Sequence, residues 1–285
     1  MHVPTIHPIV AAKQLTTIDH ISGGRSGLNV VGGWYRPELE MFGPDYFLAH
    51  ERRYDLAEEF IGLIVRLWTE TDEFDFDGEF FHVRGGFSEP KPLQRPTPPI
   101  MNAGGSPRGQ RFAAQYSDMI FIHVQDDVDL SSAAEQVDRV KTLARDEFGR
   151  DVQVWTQSFV VCRETEREAR AFWNHYVRDL GDTDAADNLM HFLGLESAVL
   201  GADWERARER FISGWGGTEM LGTPEQLVER FAQLADAGLD GTVLLFPLWE
   251  EGLEQFGAQV LPLLEQAGLR EPYVPSGAAT EPVAR

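Results

Sequence analysis

Apolar and polar positions follow two patterns along this chain, and the patterns alternate. Short apolar runs bounded by glycine or proline predict buried strands, and longer segments with an apolar residue every third or fourth position predict amphipathic helices. The predicted strands cover residues 27–31, 99–103, 119–124, 154–162 and 242–246. The predicted helices cover residues 8–20, 47–69, 107–116, 130–148, 166–180, 224–237 and 250–267. This alternation indicates an α/β fold with a parallel sheet and crossover helices.

A (β/α)8 TIM barrel is the leading architecture for an α/β chain of 285 residues. The pattern contains about five core strands, whereas a closed barrel needs eight. Residues 3–7 look like the tail of a strand, and a helix with Pro8 in its first turn follows at once. Either the sheet is open, or the opening part of a barrel is missing from this sequence.

Two segments interrupt the predicted barrel. Residues 73–83 alternate as a β-hairpin with an Asp-Gly turn and lead into a proline-rich connector, which gives an insertion near 71–98. A second insertion, near 182–222, contains the glycine-bearing run 213–218, which is either a mobile lid or a surface loop without a role. We assign 1–269 to the barrel domain and predict a disordered tail over 270–285.

Composition narrows the class of protein and its partners. The net charge is −21, and the sequence contains no basic stripe, which argues against nucleic acid as a partner. No segment is long and apolar enough to suggest a membrane span or a signal peptide. The single cysteine, Cys162, lies in an apolar run and is predicted to be buried and unpaired. These features favour a cytoplasmic protein.

The candidate chemistry lies where predicted strands end. Gly104, Gly105 and Ser106 follow one predicted strand and precede a helix. Backbone N–H groups exposed there lie at the positive end of the helix and form a candidate phosphate cradle. Asn29 is a polar residue in an apolar strand, where a buried amide needs a backbone or ligand partner. Tyr54, near the start of another helix, could present its hydroxyl to a polar ligand. The eight histidines do not show the spacing of a metal site.

Several motifs together resemble the bacterial-luciferase-like flavin monooxygenases, in particular the alkanesulfonate and pyrimidine monooxygenase branch. The most specific is the run 19–34, followed by Pro37 and Glu38. Softer matches follow in the same order at 53–59, 78–81, 90–92, 103–106 and 222–225. In order and spacing, the resemblance covers nearly everything from Val3 to about Leu269.

The resemblance implies a luciferase-type barrel that binds reduced FMN at the carboxyl ends of its strands. It implies that Asn29 and Glu38 lie at the flavin, that Arg53 and Tyr54 meet its ribityl–phosphate side, and that the cradle holds the phosphate. A separate NAD(P)H-dependent flavin reductase would supply the reduced FMN, and O2 would be used to oxygenate a small organic substrate. The implied assembly is a homo-oligomer. The catalytic acid or base and the identity of the substrate stay open.

Two other functions remain possible at this stage. The family normally begins with three further strands and two helices, so the barrel is predicted to be incomplete at its amino end. An incomplete barrel could be a degenerate, non-catalytic flavin-barrel subunit that binds a partner through an exposed sheet edge. The same fold could also serve a deazaflavin-dependent oxidoreductase.

Overall fold

The computed structural model describes residues 1–43, 46–124, 129–194 and 203–273, and they form two compact units. The first unit contains Met1–Ile122 and Val140–Gln153, and the second contains His123–Arg139 and Val154–Arg285.

The first unit contains a parallel sheet with helices and one hairpin. Its helices are α1 (Pro8–Ser22), α2 (Arg36–Glu40), α3 (His50–Thr69) and α4 (Pro107–Tyr116). Its strands are β1 (Leu28–Asn29), β2 (Phe74–Asp77), β3 (His82–Gly86), β4 (Ile100–Asn102) and β5 (Met119–Phe121). β1 pairs in parallel with β4, and β4 with β5, while β2 and β3 form the predicted antiparallel hairpin. The carboxyl ends of β1 and β4 are therefore neighbours.

The core of this unit is built from the facing sides of α1 and α3. Ala11 and Ala12 are fully buried on α1, and small side chains at these positions let the two helices approach closely. Across from them, the Trp68 indole Nε1 donates a hydrogen bond to the Ala12 carbonyl at 3.2 Å. The predicted apolar stripe of α3 is the buried one and comprises Leu56, Phe60, Leu63, Ile64 and Leu67.

The second unit contains the remaining strands. Its strands are β6 (Gln153–Cys162), which starts at the unit boundary, β7 (Thr218–Gly222) and β8 (Gly241–Leu245). α5 (Ser131–Phe148) passes from this unit into the first, and the other helices are α6 (Glu166–Asn174), α7 (Thr183–Phe192), α8 (Asp203–Gly214), α9 (Pro224–Asp236), α10 (Trp249–Gln255) and α11 (Leu261–Gln266). β6 pairs in parallel with both β7 and β8. Short π-helical segments follow α6 at His175–Asp179 and α10 at Phe256–Val260.

The predicted α/β class with a parallel sheet is confirmed. Each of the five predicted strands and each of the seven predicted helices has a counterpart, although π-helical turns interrupt two of the helices. Cys162 is buried and free, as predicted. Six strands of the described residues pair in parallel, and the luciferase-type (β/α)8 barrel stays a prediction. Most of the predicted tail, residues 274–285, lies outside the described residues.

The loop predicted over residues 213–218, a lid or a surface loop without a role, is only the short turn 215–217 in the structure. α8 continues to Gly214 and β7 begins at Thr218, and both Ser213 and Thr218 are about 1% exposed. The glycines serve packing, because a Cβ atom on Gly214 would overlap the ring of Phe159. Gly216 has a φ of 71° and donates its N–H to the Arg210 carbonyl, which ends the helix in a tight turn.

Residues 3–7 were also misinterpreted as the tail of a strand. Val3–Thr5 form one 3-10 turn, with Pro4 inside it. Only His2 aligns with the sheet in this part of the described chain, through a single parallel bridge to Val31.

Candidate functional site

The junction between β4 and α4 has the features of an anion cradle. Ser106 is the N-cap of α4, and its Oγ accepts a hydrogen bond from the Gly109 N–H at 3.1 Å. Gly105 is exposed, and a Cβ atom placed on it would have no neighbour within 4 Å, so its backbone faces open space. A ligand can therefore approach the backbone of Gly105 at the positive end of α4.

Gly104 does not have the predicted role in this cradle. Its N–H donates to Asn102 Oδ1 at 2.8 Å, so that amide is already engaged. A Cβ atom on Gly104 would lie 2.7 Å from the backbone of Gly109, which explains the need for glycine. Gly104 thus shapes the turn, whereas the Gly105 N–H makes no hydrogen bond within the part of the chain that the structure describes.

Asn102 was missed by the sequence reasoning. Its side chain is buried, donates from Nδ2 to the Val30 carbonyl at 2.7 Å, and holds the Gly104 amide through Oδ1. It therefore ties the end of β4 to the segment after β1. The available signal was an asparagine two residues before a glycine pair, a position from which its side chain commonly bonds the backbone two residues on.

His50 is a second residue that the sequence reasoning missed. It is the first residue of α3, and its Nε2 lies 3.2 Å from Ser106 Oγ. Tyr54 lies one turn further along, with its ring edge-to-face against His50 at 5.3 Å between centroids. The Tyr54 hydroxyl lies so close to Gly109 that a Cβ atom there would collide with it. The His50 imidazole therefore contacts both the Tyr54 ring and the Ser106 hydroxyl, while the role of these residues at the flavin stays a prediction.

Arg53 anchors the loop that follows β1. A terminal nitrogen of its guanidinium donates to the Gly33 carbonyl, and the group lies 4.9 Å from the Phe47 ring centroid. Its Nε atom is buried and has no hydrogen-bond partner among the described residues. This donor is a candidate ligand contact, because buried polar groups without a partner are rare.

Other arginines near the start of α3 are paired with carboxylates. Arg52 donates to both carboxylate oxygens of Glu79, and Arg108 donates to Glu58 and Asp55 at 2.7 and 3.1 Å. Burial alone would lower the pKa of Arg108, but the hydrogen bonds that it donates to these two carboxylates raise the pKa above its usual value. Arg53 makes no such ion pair within the described residues. Unlike Arg52 and Arg108, it therefore carries a positive charge that is available to pair with an anionic ligand.

The expectation that Asn29 carries a buried amide was wrong. The Asn29 side chain is exposed, and the neighbouring Leu28 is the residue that points into the core. Asn29 is opposite Met101 in the β1–β4 register, and Ser106 follows β4 five residues after that position. Asn29 and Ser106 therefore follow neighbouring parallel strands at the same edge of the sheet, and the exposed amide is available to a ligand.

Glu38 lies apart from the cradle contacts. It belongs to the short helix α2, and its Oε2 is 3.4 Å from Nδ1 of His2. The structure gives Glu38 no contact with His50, Tyr54 or Ser106 within the described residues. Those residues also contain no group of three or more His, Cys, Asp or Glu side chains that could hold a metal ion.

Comparisons with known proteins identify the class. The family model described as luciferase-like monooxygenase matches residues 1–241. The chain is 34% identical over 265 residues to an FMNH(2)-dependent dimethylsulfone monooxygenase of Pseudomonas putida, covering 91% of this chain and 71% of the relative. It is 33% identical over 266 residues to the pyrimidine monooxygenase RutA of Acinetobacter baylyi, covering 90% and 69%. The chain belongs to the luciferase-like monooxygenase family, a class of oxidoreductases.

Solved structures of similar fold agree with this assignment. The long-chain alkane monooxygenase LadA superposes with a TM-score of 0.81 at 22% identity, covering 96% of this chain and 70% of that one. DmoA from Hyphomicrobium sulfonivorans gives a TM-score of 0.80 at 22% identity, covering 95% and 68%. At this identity the likeness concerns the fold. None of the helices in the described residues has the length and apolar character of a membrane span.

Proposed function

We propose that this chain is a flavin-dependent monooxygenase that takes reduced FMN from a separate reductase and uses O2 to oxygenate a small organic substrate. The observation that carries the proposal is the convergence of Gly105, Ser106, His50 and Tyr54 at the start of α4, in a chain whose relatives are FMN-dependent monooxygenases. The proposal includes a luciferase-type (β/α)8 barrel fold, a homo-oligomeric assembly and a cytoplasmic location, as expected from the sequence.

The described residues fit the phosphate end of FMN. Gly105 offers an accessible backbone at a helix start, Ser106 a hydroxyl and His50 an imidazole nitrogen, which together suit a phosphate dianion. The buried Arg53 Nε is a further donor without a partner among the described residues. Asn29, at the end of the neighbouring strand, would bond the flavin, and Tyr54 would line the ribityl side.

Bound reduced FMN would supply the electrons that activate O2 for transfer of one oxygen atom to the substrate. The protein residues bind and orient. Ser106 and Gly105 would fix the phosphate, and the bond from Arg53 to the Gly33 carbonyl holds the loop after β1 against α3. Fixing the cofactor at its phosphate end places the other end reproducibly, and such positioning is a large part of catalysis.

Substitution of Ser106 by alanine tests the phosphate assignment. Loss of one hydrogen bond to a charged phosphate is worth about 1.5–3 kcal/mol, so FMN should bind about 10- to 150-fold more weakly. Binding is measured by anaerobic titration with reduced FMN. The matched control is Thr165→Ala, which removes the N-cap hydrogen bond of α6 and touches none of the cradle residues. Equal FMN affinity of Ser106→Ala and the wild type would contradict the assignment.

Oxygenation is tested with a flavin reductase, NADH and 18O2. Dimethyl sulfone and uracil are the first substrates to try, since relatives are named for a sulfone and for pyrimidines. Label in the product supports the monooxygenase, and the reductase alone corrects for free oxidation of flavin. A folded chain that does not bind reduced FMN would instead favour the non-catalytic subunit.

A further inference from the structure

His2 lies beside the end of β1 and has no role in the flavin contacts proposed above. It bridges Val31 in parallel register, and backbone hydrogen bonds from Val3 to Val31 and from Val31 to Met1, at 2.9 and 3.0 Å, hold it there. Its side chain is 29% exposed, but its Nδ1 atom is buried and makes no hydrogen bond within the described residues. Buried polar atoms without a partner are rare in folded proteins, so this imidazole is a candidate ligand contact.

The register of the sheet places the His2 side chain on the same face as Asn29. Bridge partners in a parallel ladder point to the same face, and so do residues two positions apart in one strand. Val31 is the partner of His2 and follows Asn29 by two positions. The residues that alternate with these belong to the buried core on the opposite face, namely Val3, Leu28 and Val30. The imidazole and the exposed amide therefore border the same surface of the first unit.

This surface continues towards the phosphate cradle. β4, β1 and the segment that contains His2 lie side by side in that order. Neighbouring strands are about 4.8 Å apart, so His2 lies about 10 Å across the sheet from the strand that leads to Ser106. FMN is longer than this. One molecule can therefore reach from its phosphate at Ser106 past Asn29 to the imidazole.

Glu38 determines which nitrogen of the His2 imidazole is available to a ligand. Its Oε2 lies 3.4 Å from His2 Nδ1, and this is the only carboxylate that pairs with the imidazole in the described part of the chain. A carboxylate accepts hydrogen bonds and donates none, so it favours the tautomer in which Nδ1 carries the proton. Nε2 then carries a lone pair and acts as an acceptor. The ring system of a flavin offers N–H groups as donors.

We propose that His2 contacts the flavin beside Asn29, and that its Nε2 accepts a hydrogen bond from an N–H group of the flavin ring system. Glu38 is a positioning residue, which orients the imidazole and does not itself contact the flavin. The inference rests on the proposed function, because it requires that FMN binds with its phosphate at Ser106. It extends the site from the phosphate end, where Ser106 and Gly105 bind, to the ring end.

Titration of the full chain with FMN tests the proposal, with reduced FMN under anaerobic conditions for affinity and oxidised FMN for the absorption spectrum of the bound flavin. His2→Phe keeps a flat ring without nitrogen atoms. It should weaken FMN binding about three- to tenfold, as expected for one lost hydrogen bond, and shift the absorption bands of the bound flavin. His2→Gln restores an acceptor and should recover most of the affinity. Ser106→Ala should weaken binding without a shift of these bands, because the phosphate is remote from the ring system.

Two further variants test the role of Glu38 and the specificity of the effect. Glu38→Gln should weaken FMN binding in the wild-type background and have no effect in His2→Phe, because Glu38 acts through the imidazole. His82→Gln is the matched control, since His82 also has its Nδ1 beside a carboxylate, that of Asp77, but lies exposed on the hairpin. It should leave both affinity and spectrum unchanged. His2→Ala replaces His2→Phe if the larger ring lowers the thermal midpoint.

The outcomes separate this inference from the proposed function. Wild-type affinity and an unshifted spectrum in His2→Phe, an equal loss in His82→Gln, or no recovery in His2→Gln would overturn the contact of His2 with the flavin. A loss in Glu38→Gln that persists in the His2→Phe background would overturn the positioning role and indicate that Glu38 itself contacts the flavin. A wild-type chain that is folded and binds no FMN would contradict the proposed function itself.

Discussion

Asp19 is the buried charge on which we expect the stability of the first unit to depend most. It lies near the end of α1 with 0% exposure, and both carboxylate oxygens are used. Oδ2 accepts from the backbone N–H groups of Leu93 and Gln94, at 2.7 and 3.1 Å. Oδ1 accepts from the Gln94 side-chain amide at 2.7 Å and from the Ser26 hydroxyl at 3.1 Å. One carboxylate therefore ties the proline-rich connector and the loop before β1 to α1.

Replacing Asp19 with asparagine keeps the size of the side chain and changes only its hydrogen bonding. Whichever way the amide is turned, its NH2 group faces two of the four donors, which lose their acceptor. At about 1–2 kcal/mol for each buried donor left unsatisfied, the free energy of unfolding should fall by about 2–4 kcal/mol at neutral pH. Urea denaturation followed by circular dichroism measures it. The control is Asp151→Asn, whose side chain is 97% exposed and should change stability by less than about 0.5 kcal/mol.

The pH dependence gives a second test of the same contacts. Burial by itself raises the pKa of Asp19, but the hydrogen bonds from Gln94, Ser26 and Leu93 outweigh it and hold the pKa below its usual value. This stabilisation is complete above the unfolded-state pKa of about 3.9 and is lost as the pH falls through the folded-state pKa. The difference in the free energy of unfolding between wild type and Asp19→Asn should therefore become smaller as the pH is lowered from about 5 towards 2. A constant difference in the free energy of unfolding over this range would show that these hydrogen bonds do not favour the charged carboxylate.

Gly104→Ala should lower the thermal midpoint of unfolding by several degrees and abolish FMN binding, because a Cβ atom there would overlap the Gly109 backbone. Gly105→Ala should leave the midpoint within a degree or two of wild type, because a Cβ atom on Gly105 has no neighbour within 4 Å. An equal loss of stability in both variants would contradict this prediction. Burial raises the pKa of the Cys162 thiol from 9.0 to about 11, so the stability that the neutral thiol contributes should be present below pH 9 and lost as the pH rises through 11. In the folded chain this thiol should react with a disulfide reagent at pH 8 far more slowly than in urea, and equal rates would be evidence against its burial.

Local patterns were enough to predict α4 and its cap. Ser106 and Pro107 mark the helix start, and the structure has α4 at Pro107–Tyr116, the predicted range. The buried stripe of α3 was likewise readable, since residues three and four apart share one helix face. These features depend on interactions within a few residues, which the order of side chains determines directly.

The partners of the candidate site were decided by the tertiary structure. His50 and Ser106 are separated by 56 positions, and only the packing of α3 against α4 brings the imidazole to the hydroxyl. Asn102 reaches the Val30 carbonyl because β4 pairs beside β1, and Asn29 in the same strand pair faces outward. Successive side chains of a strand point to opposite faces of the sheet, but a strand of only two residues is too short for the sequence to show which face is buried.

The luciferase-like character of this chain was already legible in its sequence, because glycine turns, helix caps and the strand–helix alternation are local or ordered along the chain. The side-chain contacts at the start of α4, such as that between His50 and Ser106, were not. They form where segments that are distant in sequence pack together. The free energy of such contacts depends on the shape and burial of both segments, so it cannot be predicted from one stretch of residues alone.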